Sequence, residues 1–250
     1  MNSGIVSTQR EHLAHVTRWA ETIRRELGSI LERESGRVHF RPSSRGVAMV
    51  GLLPERPQRG KSGLRNLHRV ATDFETLFQA HCVDVAQGRP TPEKSLQASM
   101  TAAAYRHERR ILPLCVDGRD TVFVADELAL PQEGGGRIVC DFLALRRGPG
   151  GYCRPAVIEL KSARQLSRLV EQVRDYAACV EQLSDEFAAL YSAVLGEEIV
   201  FDGPPECWVV WPEHGASVDP REDELCQHRV RVVGYRAKDD EYEFRVGRMP

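Results

Sequence analysis

The chain has 250 residues, 42% of them hydrophobic, with 34 Lys and Arg against 36 Asp and Glu, a formal net charge of −2 and a pI near 6.5. These values admit a substantial core and exclude a globally basic protein, so any nucleic-acid surface has to be a local patch. No apolar run is long enough to span a bilayer, the first residues lack a basic-then-apolar signal, and seven cysteines without a C-x-x-C pair argue against a disulfide framework or a zinc knuckle, so a reduced, cytoplasmic protein with no membrane partner is expected.

Apolar residues at spacings of three and four (Leu13, Val16, Ala20, Ile23, Leu27, Ile30, Leu31) predict a helix over 7–34. Residues 37–53 alternate loosely around Pro42 and Gly46, which predicts a hairpin. The charged, Pro- and Gly-rich stretch 54–63 reads as a linker. A soft boundary is therefore set near residue 60, dividing an N-terminal accessory region (1–60), open to dimerisation or a partner protein, from a main domain (61–250). Helices are expected over 67–87 and 92–111, the second with Leu96, Met100, Ala103, Ala104, His107 and Ile111 on one face.

Strands follow over 121–130, 137–145 and 154–161, separated by glycine-rich turns. The segment after Ser162 is amphipathic, placing Leu166, Leu169, Val170, Val173, Tyr176, Ala177, Val180 and Leu183 on one stripe. A helical stretch over 186–195 precedes a short apolar strand, 207–211, stopped by Pro212. The tail over 229–237 and 241–246 reads as a terminal hairpin. The strands at 137–145 and 154–161 are apolar on both faces, as in the middle of a sheet covered on both sides. From residue 92 the order is helix, three strands, helix, strand, so an α/β sandwich is expected.

Charged residues inside these apolar strands carry the chemistry. In a strand, alternate side chains share a face, so Val157, Glu159 and Lys161 point one way while Ala156, Ile158 and Leu160 point the other. Burying a carboxylate and an ammonium is costly unless each is paired or binds a metal. Asp141 sits among Ile138, Val139, Cys140, Phe142, Leu143, Ala144 and Leu145, where even a simple polar group loses roughly 1–3 kcal/mol of hydration. A divalent cation shared by Asp141 and Glu159 offsets that loss, and Mg²⁺, with Mn²⁺ as a substitute, suits hard oxygen donors. Gln172 and Tyr176, four apart on the following helix, share a face that would point at the strand bearing Glu159 and Lys161.

Asp141, Glu159-Leu160-Lys161 and Gln172-x-x-x-Tyr176 together resemble the PD-(D/E)xK phosphodiesterase superfamily, which includes restriction endonucleases and RecB-like exonucleases with the Gln/Tyr element. The resemblance spans about residues 92–212. It implies a restriction endonuclease-like α/β/α sandwich with a central mixed sheet, extended by the N-terminal helix and hairpin. It implies a Mg²⁺-dependent nuclease in which Asp141 and Glu159 hold the metal with the Leu160 carbonyl, Lys161 is the catalytic lysine, and Gln172 and Tyr176 brace the site. Cys140 stands where the namesake motif has proline. The family often adds a ligand from the preceding helix; Glu108 and His107 are the candidates, and Glu108 is preferred because Mg²⁺ favours oxygen over imidazole. DNA is the expected substrate, with RNA, and endo- or exonuclease action, left open. A binding or assembly module with the same fold and no turnover is the alternative.

Two other features carry less. The Arg59-Gly60-Lys61-Ser62 stretch lacks the earlier glycine of a P-loop, having Glu55 there. The cations around it (Arg56, Arg59, Lys61, Arg65, His68, Arg69) suit either a solvated linker or contacts with a phosphate backbone. Trp208 and Trp211 read as core.

Overall fold

The computed structural model describes residues 3–53, 56–83, 91–166, 168–213, 219–238 and 241–247. In chain order the elements are α1 (Ser3–Arg33), β1 (Val38–Ser43), β2 (Gly46–Leu53), β3 (Arg56–Leu64), α2 (Leu67–Thr72), α3 (Phe74–Phe78), α4 (Pro92–Arg106), β4 (Asp120–Pro131), β5 (Arg137–Arg147), β6 (Cys153–Leu160), α5 (Leu169–Gln182), α6 (Ser184–Leu195), β7 (Glu206–Pro212), α7 (Pro220–Gln227), β8 (Val230–Lys238) and β9 (Glu241–Val246). The strands make a three-stranded antiparallel sheet, β1-β2-β3, and a six-stranded mixed sheet, β4-β5-β6-β7-β8-β9. The protein is thus a mixed α/β structure. All seven cysteines are free thiols, and among the described residues no helix is long and apolar enough to cross a membrane.

Contacts divide the chain into two compact units. The first comprises Met1–Arg109, Leu130–Gly136 and Asp185–Ile199. Its core forms where the α1 stripe (Ile23, Leu27, Ile30) meets Val38, Phe40, Val47 and Met49 of the small sheet and Leu67, Val70, Phe74 and Phe78 of α2 and α3. Phe74 packs edge-on against Phe40 and stacks on Phe78.

Three expectations are corrected here. The linker at 54–63 is strand β3 from Arg56 onward, paired with β2, so the boundary set near residue 60 falls inside a sheet. Its apolar content is low because β3 is an edge strand held by backbone pairing, a place where proline is tolerated. Gly60 is required there, since a Cβ at that position would come within 1.6 Å of the Met49 carbonyl oxygen. The single helix over 67–87 breaks into α2 and α3 at Asp73 and then widens into a π-helical turn at Gln79–Val83, with 84–87 outside the described residues. The helix over 92–111, capped by the Thr91 hydroxyl accepting from the Lys94 amide, ends at Arg106. His107 is its cap, and Glu108 and Arg109 both adopt positive φ, 54° and 65°, which a helix cannot contain.

The second unit (Arg110–Ala129, Arg137–Ser184, Val200–Pro250) holds the large sheet. β5 and β6 are antiparallel, with Phe142 opposite Ile158 and Leu143 opposite Val157. β7 lies parallel to both β6 and β8, and β9 returns antiparallel to β8. Trp208 and Trp211 are fully buried. At the end of the sheet where β6 and β7 begin, a charged cluster grips the strands. Arg146, 0% exposed, donates to the Leu114 carbonyl at 2.8 Å and the Thr121 hydroxyl at 2.7 Å, and lies 3.6 Å from Glu206. Glu206 also accepts from Tyr152 Oη and from Trp208 Nε1, and pairs with Arg231 at 3.1 Å. The guanidiniums of Arg146 and Arg231 both lie over the Trp208 ring. Glu206→Ala leaves the buried Arg146 uncompensated and is expected to lower unfolding stability by about 3–5 kcal/mol in denaturant titration; a loss under about 1 kcal/mol would show that the cluster is not holding the sheet.

Candidate active site

The site forms where β5 and β6 stop pairing. Both strands are apolar on either side of their acids, with Cys140 and Phe142 around Asp141 and Ile158 and Leu160 around Glu159, as suits the middle of a sheet. The antiparallel register ends at Phe142 opposite Ile158, and one residue further the Asp141 side chain replaces backbone: its Oδ2 accepts from the Leu160 amide at 2.8 Å. Asp141 is half-buried and serves the ladder with its carboxylate, a charge-assisted bond.

Glu159 projects from β6, flanked by β5 and by β7, where its register partner is Val209. It is 1% exposed, so its contact with Lys161 is not an ion pair on a solvent-facing edge. Its Oε2 accepts from Lys161 Nζ at 3.1 Å and from Gln172 Nε2 at 2.9 Å. Its Oε1 is buried with no hydrogen-bond partner. Burial first, and then the negative charge of Asp141, push the Glu159 carboxyl from the ordinary value of 4.5 up to about 8, against the pull of Lys161. Burial likewise raises the neighbouring Cys140 thiol well above its usual range, reinforced by Glu159. Cys140 Sγ donates to the Phe142 carbonyl, so it stays a thiol and packs as one.

Helix α5 supplies the expected pair in two different roles. Gln172 reaches Glu159 directly. Tyr176, fully buried, donates its hydroxyl to the Leu128 carbonyl at 3.0 Å, so it ties α5 to β4. Glu108 and His107 are both exposed, belong to the first unit, and lack the helical position that recommended them.

Three residues escape a reading of the sequence. Tyr235 of β8 donates to the Lys161 carbonyl at 3.3 Å, while the Lys161 amide donates to the Val210 carbonyl of β7 at 2.9 Å, so the lysine backbone is held from two strands. Arg164 locks the turn after the lysine. It donates to Asp219 Oδ2 at 2.7 Å, to the Pro212 carbonyl at 2.8 Å and to Glu222 Oε1 at 2.8 Å, and its guanidinium lies 4.3 Å from the centre of the Trp211 ring. Burial works to raise the Asp219 carboxyl, but the Arg221 amide and Arg164 outweigh it and hold Asp219 below its ordinary range. Asp126 is the third, 1% exposed in β4. Thr121 and Phe123 meet Arg146 and Phe142, which project from the face of β5 opposite Asp141. Alternation along β4 then sends Asp126 to the Asp141 face, one residue before Glu127, whose φ of 46° interrupts the strand.

The donor set suits a hard divalent cation in one respect that the geometry decides. A buried carboxylate with an orphaned oxygen and a raised proton affinity, beside a second carboxylate, is relieved by positive charge. Among the described residues no group of three or more His, Cys, Asp or Glu lies close enough to hold a metal ion, so Asp141 and Glu159 would be the side-chain donors. Mg²⁺ accepts such a set, since it usually keeps several waters beside one or two carboxylates. No protein-family model matches the chain, and no curated protein or solved structure is significantly similar to it.

The raised Glu159 value fixes the sign of a pH effect. Between pH 4.5 and about 8 the folded protein keeps a proton that the unfolded chain releases, so raising pH favours unfolding. In chelator, the melting temperature of Glu159→Gln relative to the parent is expected to climb across that window and level off above it. A difference that stays flat with pH would mean that Glu159 ionises normally in the fold.

Proposed function

We propose that the protein is a metal-dependent nuclease that hydrolyses phosphodiester bonds in DNA, with a PD-(D/E)xK-like core of the restriction endonuclease-like type. The observation that carries this reading is the buried Glu159 carboxylate, one oxygen unpartnered, set between Asp141 and Lys161 in the middle of the sheet. The order α4, β4, β5, β6, α5, α6, β7 supports it, as does Gln172 bonded to Glu159. The α/β/α layering of that fold belongs to the same proposal.

In this reading Asp141 and Glu159 hold Mg²⁺ or Mn²⁺, with the Leu160 carbonyl as a further donor. The bound cation would activate a water and neutralise charge gathering on the phosphate. Lys161, whose Nζ lies 3.1 Å from Glu159 Oε2, would orient the water or meet the negative charge of the transition state. Gln172 keeps Glu159 in its rotamer. Tyr176 acts at one remove, fixing the helix that carries Gln172. The amine reaches the site because Val210 and Tyr235 hold the Lys161 backbone.

One observation favours a second reading, a nucleic-acid-binding or assembly module with the same fold. The acids already have protein donors: the Leu160 amide on Asp141, and Lys161 and Gln172 on Glu159. A cleavage panel of linear, circular and single-stranded DNA and of RNA separates the two. Mg²⁺- or Mn²⁺-dependent cutting that EDTA abolishes is expected. Lys161→Ala and Glu159→Gln are each expected to slow cleavage by about 10²–10⁴-fold while remaining folded. A Lys161→Ala protein cutting at the parental rate would refute the mechanism, and a parent that binds but cuts nothing with either metal would select the second reading.

A further inference from the structure

The stretch 43–72 carries six Arg and Lys (Arg45, Arg56, Arg59, Lys61, Arg65, Arg69) and one carboxylate, Glu55, in a chain whose net charge is −2. As a linker this would be a solvated charge run. The structure makes it an ordered edge instead. Lys61 lies on β3, at the border of the three-stranded sheet, Arg45 lies in the β1–β2 turn, and Arg65 directly follows β3. His68 and Arg69 open α2. All five side chains are exposed.

The two turns are neighbours, because Val47 pairs with Leu64 and Arg65 Nε donates to the Arg45 carbonyl at 3.4 Å. Two guanidiniums therefore sit on adjacent loops, with Lys61 along the same edge. Arg69 reaches Asp73 at 3.4 Å, whereas among the described residues no carboxylate pairs with Arg45, Lys61 or Arg65. A folded protein of acidic balance that concentrates uncompensated cations along one rigid border presents a polyanion with a complementary face.

We infer that this border of the first unit is a docking surface for the sugar–phosphate backbone of a nucleic acid. No aromatic side chain stands exposed among these cations, so base stacking has no platform there, and contact is with phosphates irrespective of sequence. Lys and Arg on an edge strand also discourage a further strand from pairing, which leaves the border open to a backbone of phosphates and closed to a β-partner. The choice of a nucleic acid over other polyanions rests on the nuclease reading above; the placement of the cations does not.

The test uses the full chain in EDTA, so that no cutting is needed, and follows fluorescence anisotropy of labelled duplex DNA and duplex RNA from about 50 to 200 mM salt. The parent is expected to bind with an affinity that falls steeply with salt. Arg45→Gln, Lys61→Gln and Arg65→Gln combined should weaken binding at least tenfold and flatten the log–log salt slope by about one unit per cation removed. Arg45→Lys with Arg65→Lys, which keeps the charge, should bind like the parent and controls for misfolding. Whichever duplex binds more tightly names the source of the phosphates. A triple variant with unchanged affinity and slope overturns the inference, and so does one that only self-associates, which would mark the cations as guards of a bare edge. A parent that binds in this way and never cuts leaves the inference standing and removes the nuclease reading; a parent that cuts, with a triple variant that binds and cuts unchanged, does the reverse.

Discussion

A carboxylate held in the middle of a six-stranded sheet at 1% exposure is an expense that the surrounding structure has to meet, and Glu159 organises its neighbourhood accordingly. Lys161 must curl back to it from the end of β6, and α5 must be placed so that Gln172 reaches the same oxygen. Those demands propagate. α5 is positioned by Tyr176 on β4, and the lysine backbone is positioned by β7 and β8. The turn between lysine and helix is fixed by Arg164, whose three polar contacts and ring contact anchor it to the end of β7 and to α7.

The opposite end of the same strands is gripped independently. Arg146, Glu206 and Arg231 clamp Trp208, and Tyr152 is drawn in through Glu206. β6 and β7 are thus constrained at both ends by buried charge rather than by apolar packing alone. Such networks are poor sources of net stability but strong enforcers of a single arrangement when every member is answered. Each end keeps one buried atom without a hydrogen bond, Arg146 Nε at one and Glu159 Oε1 at the other, and the proposed chemistry resides beside the carboxylate oxygen.

How much of this could be read in advance depended on which force made each element. The central strands were legible because β-branched and aromatic residues crowd β5 and β6, and the acids were legible because Asp141 and Glu159 interrupt them. The α1 stripe was legible for the same reason at helical spacing, and all seven of its apolar positions are buried. β3 was not, because an edge strand rich in Gly and Pro is defined by its backbone partner and has no apolar period of its own. The end of α4 was missed because two successive positive-φ residues, Glu108 and Arg109, leave no composition signal. Asp126 was missed because it stands next to Glu127 in β4, and two adjacent acids in an apolar run do not show which of them takes the inner face. Tyr235 and Arg164 act across 74 and 55 residues of chain, and no local pattern encodes such contacts.

That last separation bears on how the molecule comes into being. Lys161 is held by a strand that enters the sheet only after two helices have been made, and by a tyrosine on the strand after that. Closing loops of this length delays the contacts they reward, and parallel pairings are slow to form. A chain emerging from the ribosome therefore carries its acids on a finished hairpin well before its amine is fixed beside them. On the proposed reading, the site is incomplete until the final strands have docked.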